Sequence, residues 1–150
     1  MNTLYLYRGA NPDLHRETEG ELRPKLVGKP FRRAIYYGEK VHYGGGAVYG
    51  ESERNAVIMH QQDSSGYPTS GVSTTPIFEN AVRYATHGGK YSTGFVYKID
   101  CRLLRQYGVT AYPVSAHAKK PAIPEDEEII LVASDCGRLP REIVIDVIDV

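Results

Sequence analysis

The strongest constraint on the fold of this chain is an abrupt change from acidic to apolar residues near its C-terminal end. Residues 125–128 are Glu-Asp-Glu-Glu, and Ile-Ile-Leu-Val follows at once at 129–132. A short apolar run containing β-branched residues is typical of a buried strand, whereas consecutive acids are typical of a solvated loop. We therefore predict a strand over Glu128–Ala133, with the Glu128 carboxylate fixed at its entrance, where a rigid negative charge suits electrostatic catalysis.

The N-terminus predicts a second strand that ends in a cation. Residues 3–8 alternate, so that Leu4, Leu6 and Arg8 share one face. The next residues, Gly-Ala-Asn-Pro at 9–12, predict a turn, and residues 13–30 a loop. From parity alone, Arg8 is equally well interpreted as an ordinary edge residue or as a cation lining a cleft.

The remaining pattern predicts a single domain of short elements. The chain has 150 residues with 15 Gly and 9 Pro, and a chain of this length buries one core. Further strands are predicted where apolar or β-branched runs lie between turn residues, at 71–75, 94–99, 109–114 and 143–150, with a hairpin over 34–43. In the last strand, Ile143, Ile145 and Val147 are expected to point inward.

Two helices are predicted from capping residues followed by helically spaced apolar positions. The first covers residues 53–62 behind Ser52, and the second covers residues 76–86 behind Thr75. The buried stripe expected for the second helix is Ile77, Ala81, Tyr84 and Ala85. Short strands, frequent turns and few helices indicate an α+β fold with antiparallel sheets rather than a doubly wound one.

Composition argues against several functional classes. Lys and Arg number 18, as do Asp and Glu, and the net charge of zero disfavours nucleic-acid binding. Two cysteines, Cys101 and Cys136, exclude a disulfide framework and leave open whether they pair or bind metal. The five His match no zinc spacing, so we expect no metal site. The N-terminus does not resemble a signal peptide, and no apolar stretch reaches transmembrane length, which predicts a soluble protein without a membrane span.

Three motifs follow one another along the chain: Tyr7-Arg8-Gly9, Ser73-Thr74-Thr75 and the acidic stretch that ends at Glu128. With the downstream segment Leu139-Pro140-Arg141-Glu142-Ile143, they resemble the Arg–Ser–Glu order of the cholera-toxin-type mono-ADP-ribosyltransferases. The chain looks most similar to the compact NarE-type toxins. That similarity is carried by Asn55-Ala56-Val57, His60-Gln61 and Asp135-Cys136-Gly137.

The resemblance implies one ADP-ribosyltransferase catalytic domain over residues 1–150, made of two packed antiparallel sheets with flanking helices. NAD, the substrate, would lie in the cleft between the sheets. Arg8 would hold a phosphate or ribose of NAD, and Ser73 would orient Arg8 and Glu128. Glu128 would bind the 2′-hydroxyl of the nicotinamide ribose and stabilise the oxocarbenium ion formed as nicotinamide leaves.

Four further residues receive roles from the same resemblance. Gly9 would let the backbone approach the nicotinamide amide. Thr74 and Thr75 would build the cleft strand and the helix cap. Phe78 would stack on the nicotinamide ring.

The acidic stretch admits two registers. The arginine-modifying members of the family carry Glu-x-Glu, with the catalytic Glu directly before the apolar strand. If Glu128 is that residue, the first acid is Asp126; the register Glu125/Glu127 would restore Glu-x-Glu but leave Glu128 as an extra acid. We favour Asp126 and Glu128, which share a strand face. Asp126 would then handle the acceptor, for which arginine is expected.

The resemblance thus implies transfer of ADP-ribose from NAD to a target protein, with NAD glycohydrolase activity as a side reaction. It also implies a toxin or effector exported without a classical signal peptide, for which an inhibitor or immunity protein would be a partner. The alternatives are an inactive binding module of the same fold, an RNA 2′-phosphotransferase and a plain α+β domain. The presence of Arg8, Ser73 and Glu128 together argues against the first, and the neutral charge argues against the second.

Overall fold

The computed structural model describes residues 3–31, 33–35, 50–52, 56, 69–117 and 127–150. Strands and helices of this part follow in the order β1 (Tyr5–Ala10), α1 (Pro12–Glu17), β2 (Arg33–Ile35), β3 (Gly50–Ser52), β4 (Val72–Thr74), α2 (Phe78–Ala85), β5 (Phe95–Asp100), β6 (Thr110–Pro113), α3 (Val114–His117), β7 (Ile129–Val132) and β8 (Val144–Asp149). Short 3₁₀ turns occupy Cys101–Leu103 and Arg141–Ile143.

Two antiparallel three-stranded sheets form the body of the fold. The first sheet has the order β1-β5-β8 and the second the order β4-β7-β6, while β2 and β3 form a separate antiparallel pair. The predicted α+β class with two antiparallel sheets is confirmed. Among the described residues, no helix has the length and apolar character needed to cross a membrane.

The main core lies between the two sheets. Strand alternation sends one face of each sheet into a common buried cluster, which includes Leu6, Ala10, Tyr97, Ile99, Val72, Ile129 and Leu131. A second cluster, around Ala81, Ala85 and Val96, packs α2 on the outer face of the first sheet. The fold therefore has three layers, with β1 in the middle one.

A pair of main-chain hydrogen bonds joins the two sheets at one point. The Tyr7 amide donates to the Thr75 carbonyl at 2.8 Å, and the Thr75 amide donates to the Tyr7 carbonyl at 3.0 Å. This bridge places β1 beside β4, so that Arg8, which follows Tyr7, lies next to Ser73.

Gly9 allows α2 to cross β1 at very short range. A Cβ atom at this position would lie 2.0 Å from the carbonyl oxygen of Ala81 and 2.7 Å from the amide nitrogen of Ala85. Ala81 and Ala85 are themselves fully buried, because only small side chains fit between the helix and the strand. The structure thus gives Gly9 a packing role, and the approach of its backbone to nicotinamide stays a prediction.

The N-terminal turn and loop predictions were wrong. β1 continues through Gly9 to Ala10, and the helix α1 follows where a loop was predicted. Asn11 is the N-cap, its side chain accepting a hydrogen bond from the Leu14 amide at 2.8 Å, and Pro12 opens the helix. Asn-Pro is common both in turns and at helix starts, and here the second use applies.

The predicted start of α2 was wrong by two residues. Ile77 is the N-cap and has no side-chain capping bond, while the Thr75 hydroxyl accepts a hydrogen bond from the Ile77 amide at 3.1 Å. Tyr84, expected in the buried stripe, is 47% exposed. The buried residues of α2 are Ala81 and Ala85, because α2 crosses β1 so closely at Gly9 that only small side chains fit there.

The inward face of β8 was also predicted wrongly in part. Ile143 is fully buried, but Ile145 and Val147 are 46% and 44% exposed. β8 pairs with β5 through a register shift that places an extra residue on β8, which breaks strict alternation. β8 is also an edge strand of its sheet.

The structure adds a strand that was not predicted. β2 pairs with β3, which covers residues 50–52, and the predicted pairing of residues 34–37 with 40–43 stays a prediction. Residues 36–49 lie outside the described part. So does the first predicted helix, apart from Ala56, which is helical and buried.

Candidate functional site

Hydrogen bonds connect the three predicted site residues Arg8, Ser73 and Glu128. The Ser73 hydroxyl donates to Oε2 of Glu128 at 2.6 Å. The Arg8 guanidinium donates through Nη1 to the main-chain carbonyl of Ser73 at 3.2 Å. Residues on β1, on β4 and at the entrance of β7, which are 65 and 55 positions apart in sequence, therefore meet at one place.

The pairing of β4 with β7 explains how Ser73 meets Glu128. Ser73 lies opposite Ile130, and Glu128, two residues before Ile130, shares its face. Diagonal neighbours of this kind are within side-chain reach on a sheet. The Glu128 carbonyl also accepts a hydrogen bond from the Val114 amide at 3.0 Å, which holds the entrance of β7.

The two acids at the end of the acidic stretch have different environments. Glu127 is exposed and has a left-handed backbone with φ of 49°, whereas Glu128 is half-buried and bonded to Ser73. Within the described residues, the structure brings Glu128 to Ser73, which favours the Asp126/Glu128 register. Asp126 and Glu125 lie outside the described part, so the position of the upstream acid stays a prediction.

Arg8 is a partly desolvated cation. Burial lowers the pKa of its guanidinium, while the Glu128 carboxylate, followed by Tyr97 and Tyr84, acts in the opposite direction. Arginine stays protonated under all ordinary conditions. Water therefore screens this charge less than it would screen a surface arginine, and an anionic group placed beside it would be attracted more strongly.

Arg8, Ser73 and Glu128 are called the triad below, and Arg8 also lines a cleft. The cavity volume is about 30 Å³, and the wider space of about 280 Å³ includes the part open to solvent. Apolar and polar side chains both line it: Arg8, Ala10, Leu14, Thr18, Glu21, Leu22, Arg23, Val72 and Tyr97. The segment after α1, residues 18–23, forms one side of the cleft and is called the cleft wall below.

Tyr97 forms a fixed surface of the cleft next to Arg8. The two residues are direct partners in the β1–β5 pairing. The Tyr97 ring is 1% exposed, and a 2.5 Å hydrogen bond joins its hydroxyl to Nδ1 of His15. His15 stacks on Phe95 with ring centroids 3.8 Å apart. Burial raises the pKa of the Tyr97 phenol, which therefore stays neutral.

Thr74 and Thr75 hold the strands around the site. The Thr74 hydroxyl donates to the Ile129 carbonyl at 2.7 Å, and Thr75 forms the bridge to Tyr7. Phe78 contacts Tyr7 edge-to-face at 5.4 Å between ring centroids, in the small cluster between α2 and the first sheet. The structure thus gives Phe78 a packing contact, and its stacking on nicotinamide stays a prediction.

The cysteines and possible metal ligands add little to the site. Cys101 and Cys136 are both free thiols. In the part of the chain that is described, no group of three or more His, Cys, Asp or Glu side chains is arranged to hold a metal ion.

Several residues of the cleft were not predicted from the sequence. Glu21 and Arg23 fall in a stretch interpreted as loop, where nothing marks them as different from other charged residues. Tyr97 could have been predicted, because it is an aromatic residue inside a predicted strand. That strand, β5, pairs with β1 and places Tyr97 opposite Arg8. His15 lies on α1, and because that segment was predicted to be a loop, nothing in the sequence pointed His15 towards the cleft.

One family model matches this chain. It is the model described as NarE, and it covers residues 5–131. The match runs from the start of β1 into β7 and includes all three members of the triad. No curated protein matches the chain.

Proposed function

Because this chain belongs to the NarE family, which implies an ADP-ribosyltransferase that uses NAD, we propose that it is a mono-ADP-ribosyltransferase acting on a protein. ADP-ribose would pass from NAD to an arginine of a target protein, and water would replace the arginine when no acceptor is bound. By the same resemblance, we propose a toxin or effector role and an inhibitor or immunity protein as partner.

The observation that carries this proposal is the hydrogen-bonded connection of Arg8, Ser73 and Glu128 beside a cleft. It combines a partly desolvated cation for the anionic part of NAD with an oriented carboxylate for the reacting ribose. Both groups are attached to sheet strands, which keeps their separation fixed during the reaction.

Glu128 would act on the bond between ribose C1′ and the nicotinamide nitrogen. This bond breaks with its electron pair leaving on nicotinamide, and positive charge develops on the ribose ring. The Glu128 carboxylate stabilises that charge and holds the 2′-hydroxyl. A guanidinium nitrogen of the acceptor then forms the new bond to C1′ and releases a proton. Ser73 contributes by fixing the Glu128 carboxylate through Oε2.

Arg8 would bind NAD and also connect β1 to β4. Its guanidinium already donates to the Ser73 carbonyl, and its planar form leaves other N–H groups to face the cleft. Such a fork suits a phosphate or ribose oxygen.

The function is tested by incubating the protein with NAD, with and without free arginine or an arginine-containing protein. We expect nicotinamide release in both cases and an ADP-ribosylated product only with the acceptor. Absence of nicotinamide release under both conditions would contradict NAD cleavage. Release without any arginine product would restrict the activity to glycohydrolysis or to another acceptor.

Arg8→Lys is expected to weaken NAD binding about tenfold or more, because Lys keeps the charge but loses the planar fork. The dissociation constant for NAD, measured by calorimetry, checks this. A matched control is Arg102→Lys, since Arg102 pairs with Asp100 and does not line the cleft. Equal NAD affinity in Arg8→Lys and the parent would make Arg8 an ordinary edge residue.

Asp126→Asn is expected to impair transfer more than hydrolysis. The upstream acid of the pair would bind the acceptor guanidinium, and loss of one charged hydrogen bond corresponds to about a tenfold fall in the ratio of transferase to glycohydrolase rates. Asp126→Glu should keep or raise that ratio, because the longer side chain reaches further. An unchanged ratio in both variants would remove Asp126 from acceptor selection and leave NAD cleavage unaffected.

A further inference from the structure

Glu21, in the cleft wall, binds three arginines at once. Its Oε2 accepts from Arg138 at 3.0 Å and from Arg23 at 3.4 Å, and its Oε1 accepts from Arg141 at 2.9 Å. Only 8% of the Glu21 side chain is exposed. Arg138 and Arg141 are 117 and 120 positions away in sequence, so one carboxylate ties the cleft wall to the segment between β7 and β8.

Main-chain hydrogen bonds extend this connection along the chain that follows Glu21. The Leu139 amide donates to the Leu22 carbonyl at 2.8 Å, and the Gly28 amide donates to the Cys136 carbonyl at 2.8 Å. Leu22 and Leu139 are both buried. The cleft wall is therefore held against residues 136–141 by charge and by backbone.

The charge balance makes Glu21 the central member of this cluster. Hydrogen bonds from Arg138, Arg141 and Arg23 lower the pKa of Glu21 from its ordinary value of 4.5 to about 2, so the carboxylate is ionised at physiological pH. Without the Glu21 carboxylate, the guanidinium groups of Arg23, Arg138 and Arg141 would face one another. The other acids that act on Arg138 are Asp135 and Glu142. Like charges at such short range repel one another.

We propose that Glu21 is a positioning residue for NAD, which holds the cleft wall at its working distance from Arg8. The inference rests on the proposed function, because the cleft is the place where NAD would bind. The described hydrogen bonds of the Glu21 carboxylate all come from arginines, and none of them involves Arg8, Ser73 or Glu128. Its loss should therefore affect the binding of NAD and spare the chemical step.

The test uses Glu21→Gln, which keeps the side-chain size and removes the charge, and measures two things. Hydrogen exchange is followed at the Gly28 and Leu139 amides, without NAD. Nicotinamide release is then measured over a range of NAD concentrations. We expect faster exchange at both amides, a KM for NAD raised about tenfold, and a kcat within about threefold of the parent.

The matched control is Asp100→Asn. Asp100 is also a nearly buried carboxylate bonded to an arginine, with 10% of its side chain exposed and Arg102 at 2.8 Å, but it lies outside the cleft. This variant should lower the melting temperature while leaving the KM for NAD and the exchange of the Gly28 and Leu139 amides unchanged. If it raises the KM equally, the effect of Glu21→Gln is general destabilisation and the proposal fails.

A further variant covers the case in which Glu21→Gln does not fold. Arg138→Gln removes one of the three arginines and keeps the carboxylate paired with Arg141, so the same changes are expected at smaller size. Adding Arg138→Gln to Glu21→Gln should partly restore the KM, because it relieves repulsion among the cations.

The two measurements separate the failure of this inference from the failure of the proposed function. Unchanged amide exchange in Glu21→Gln, or a fall in kcat with an unchanged KM, would overturn the positioning role. A parent protein that releases no nicotinamide would overturn the proposed function, and the exchange measurement would still decide whether Glu21 holds the cleft wall.

Discussion

Glu128→Gln is expected to reduce nicotinamide release by about 100-fold or more, with a change in melting temperature of no more than about 3 °C. Glutamine has nearly the same size, and its side-chain oxygen can still accept the hydrogen bond from Ser73. The charge that would stabilise the oxocarbenium ion is lost. Single-turnover nicotinamide release and thermal unfolding, measured on the same preparation, check both parts.

Glu127→Gln is the matched control for this experiment. Glu127 is the adjacent acid, but it is exposed and its backbone turns away from the strand direction. Its substitution should leave nicotinamide release within about twofold of the parent, as expected for a residue outside the reacting site. The reverse result, an inactive Glu127→Gln beside an active Glu128→Gln, would assign the catalytic carboxylate to the other register.

Gly9→Ala is expected to have the largest effect on stability. The new methyl group would meet main-chain atoms of α2, with the Ala81 carbonyl oxygen at 2.0 Å, and a helix backbone cannot move aside as a side-chain tip can. Overpacking of this kind costs about 3 kcal/mol or more. For a chain of this length, that corresponds to a fall in melting temperature of about 10 °C, measured by calorimetry or circular dichroism.

Gly137→Ala provides the comparison. A Cβ at Gly137 would lie 3.2 Å from a carboxylate oxygen of Asp135, which is a side chain able to rotate. Its cost should stay below about 1 kcal/mol. If Gly9→Ala unfolds at the same temperature as Gly137→Ala, the close crossing of α2 over β1 is not the reason for a glycine at position 9.

Arg8, Ser73 and Glu128 were grouped by the family resemblance, and the pattern of their strands accounts for their closeness in the structure. Alternation placed Arg8 on the face of Leu6, and the apolar run after Glu128 marked the strand entrance. Once β4 and β7 pair, the position of Ser73 relative to Glu128 follows from the period of two residues. The alternating sequence pattern and the geometry of the site agree, because the strands β1, β4 and β7 determine both.

Other features depend on contacts that no local pattern records. The Glu21 cluster joins residues more than a hundred positions apart, and the sequence shows only scattered charges. Asn11-Pro12 fits both a turn and a helix start, and the surrounding packing decides between them. The exposure of Val147 follows from its place on an edge strand and from a register shift, neither of which its own segment reveals.

Within the described part of the chain, the bridge between Tyr7 and Thr75 joins the two sheets near their site residues and marks a point about which they would rotate. When two bodies rotate about a shared point, displacement grows with distance from that point. Arg8 and Ser73 lie one and two residues from the bridge, so a change in the angle between the sheets would hardly alter their spacing. The distant rim of the cleft would swing through a longer arc. The spacing of Arg8 and Ser73 is therefore expected to be less sensitive to the angle between the sheets than the width of the cleft rim.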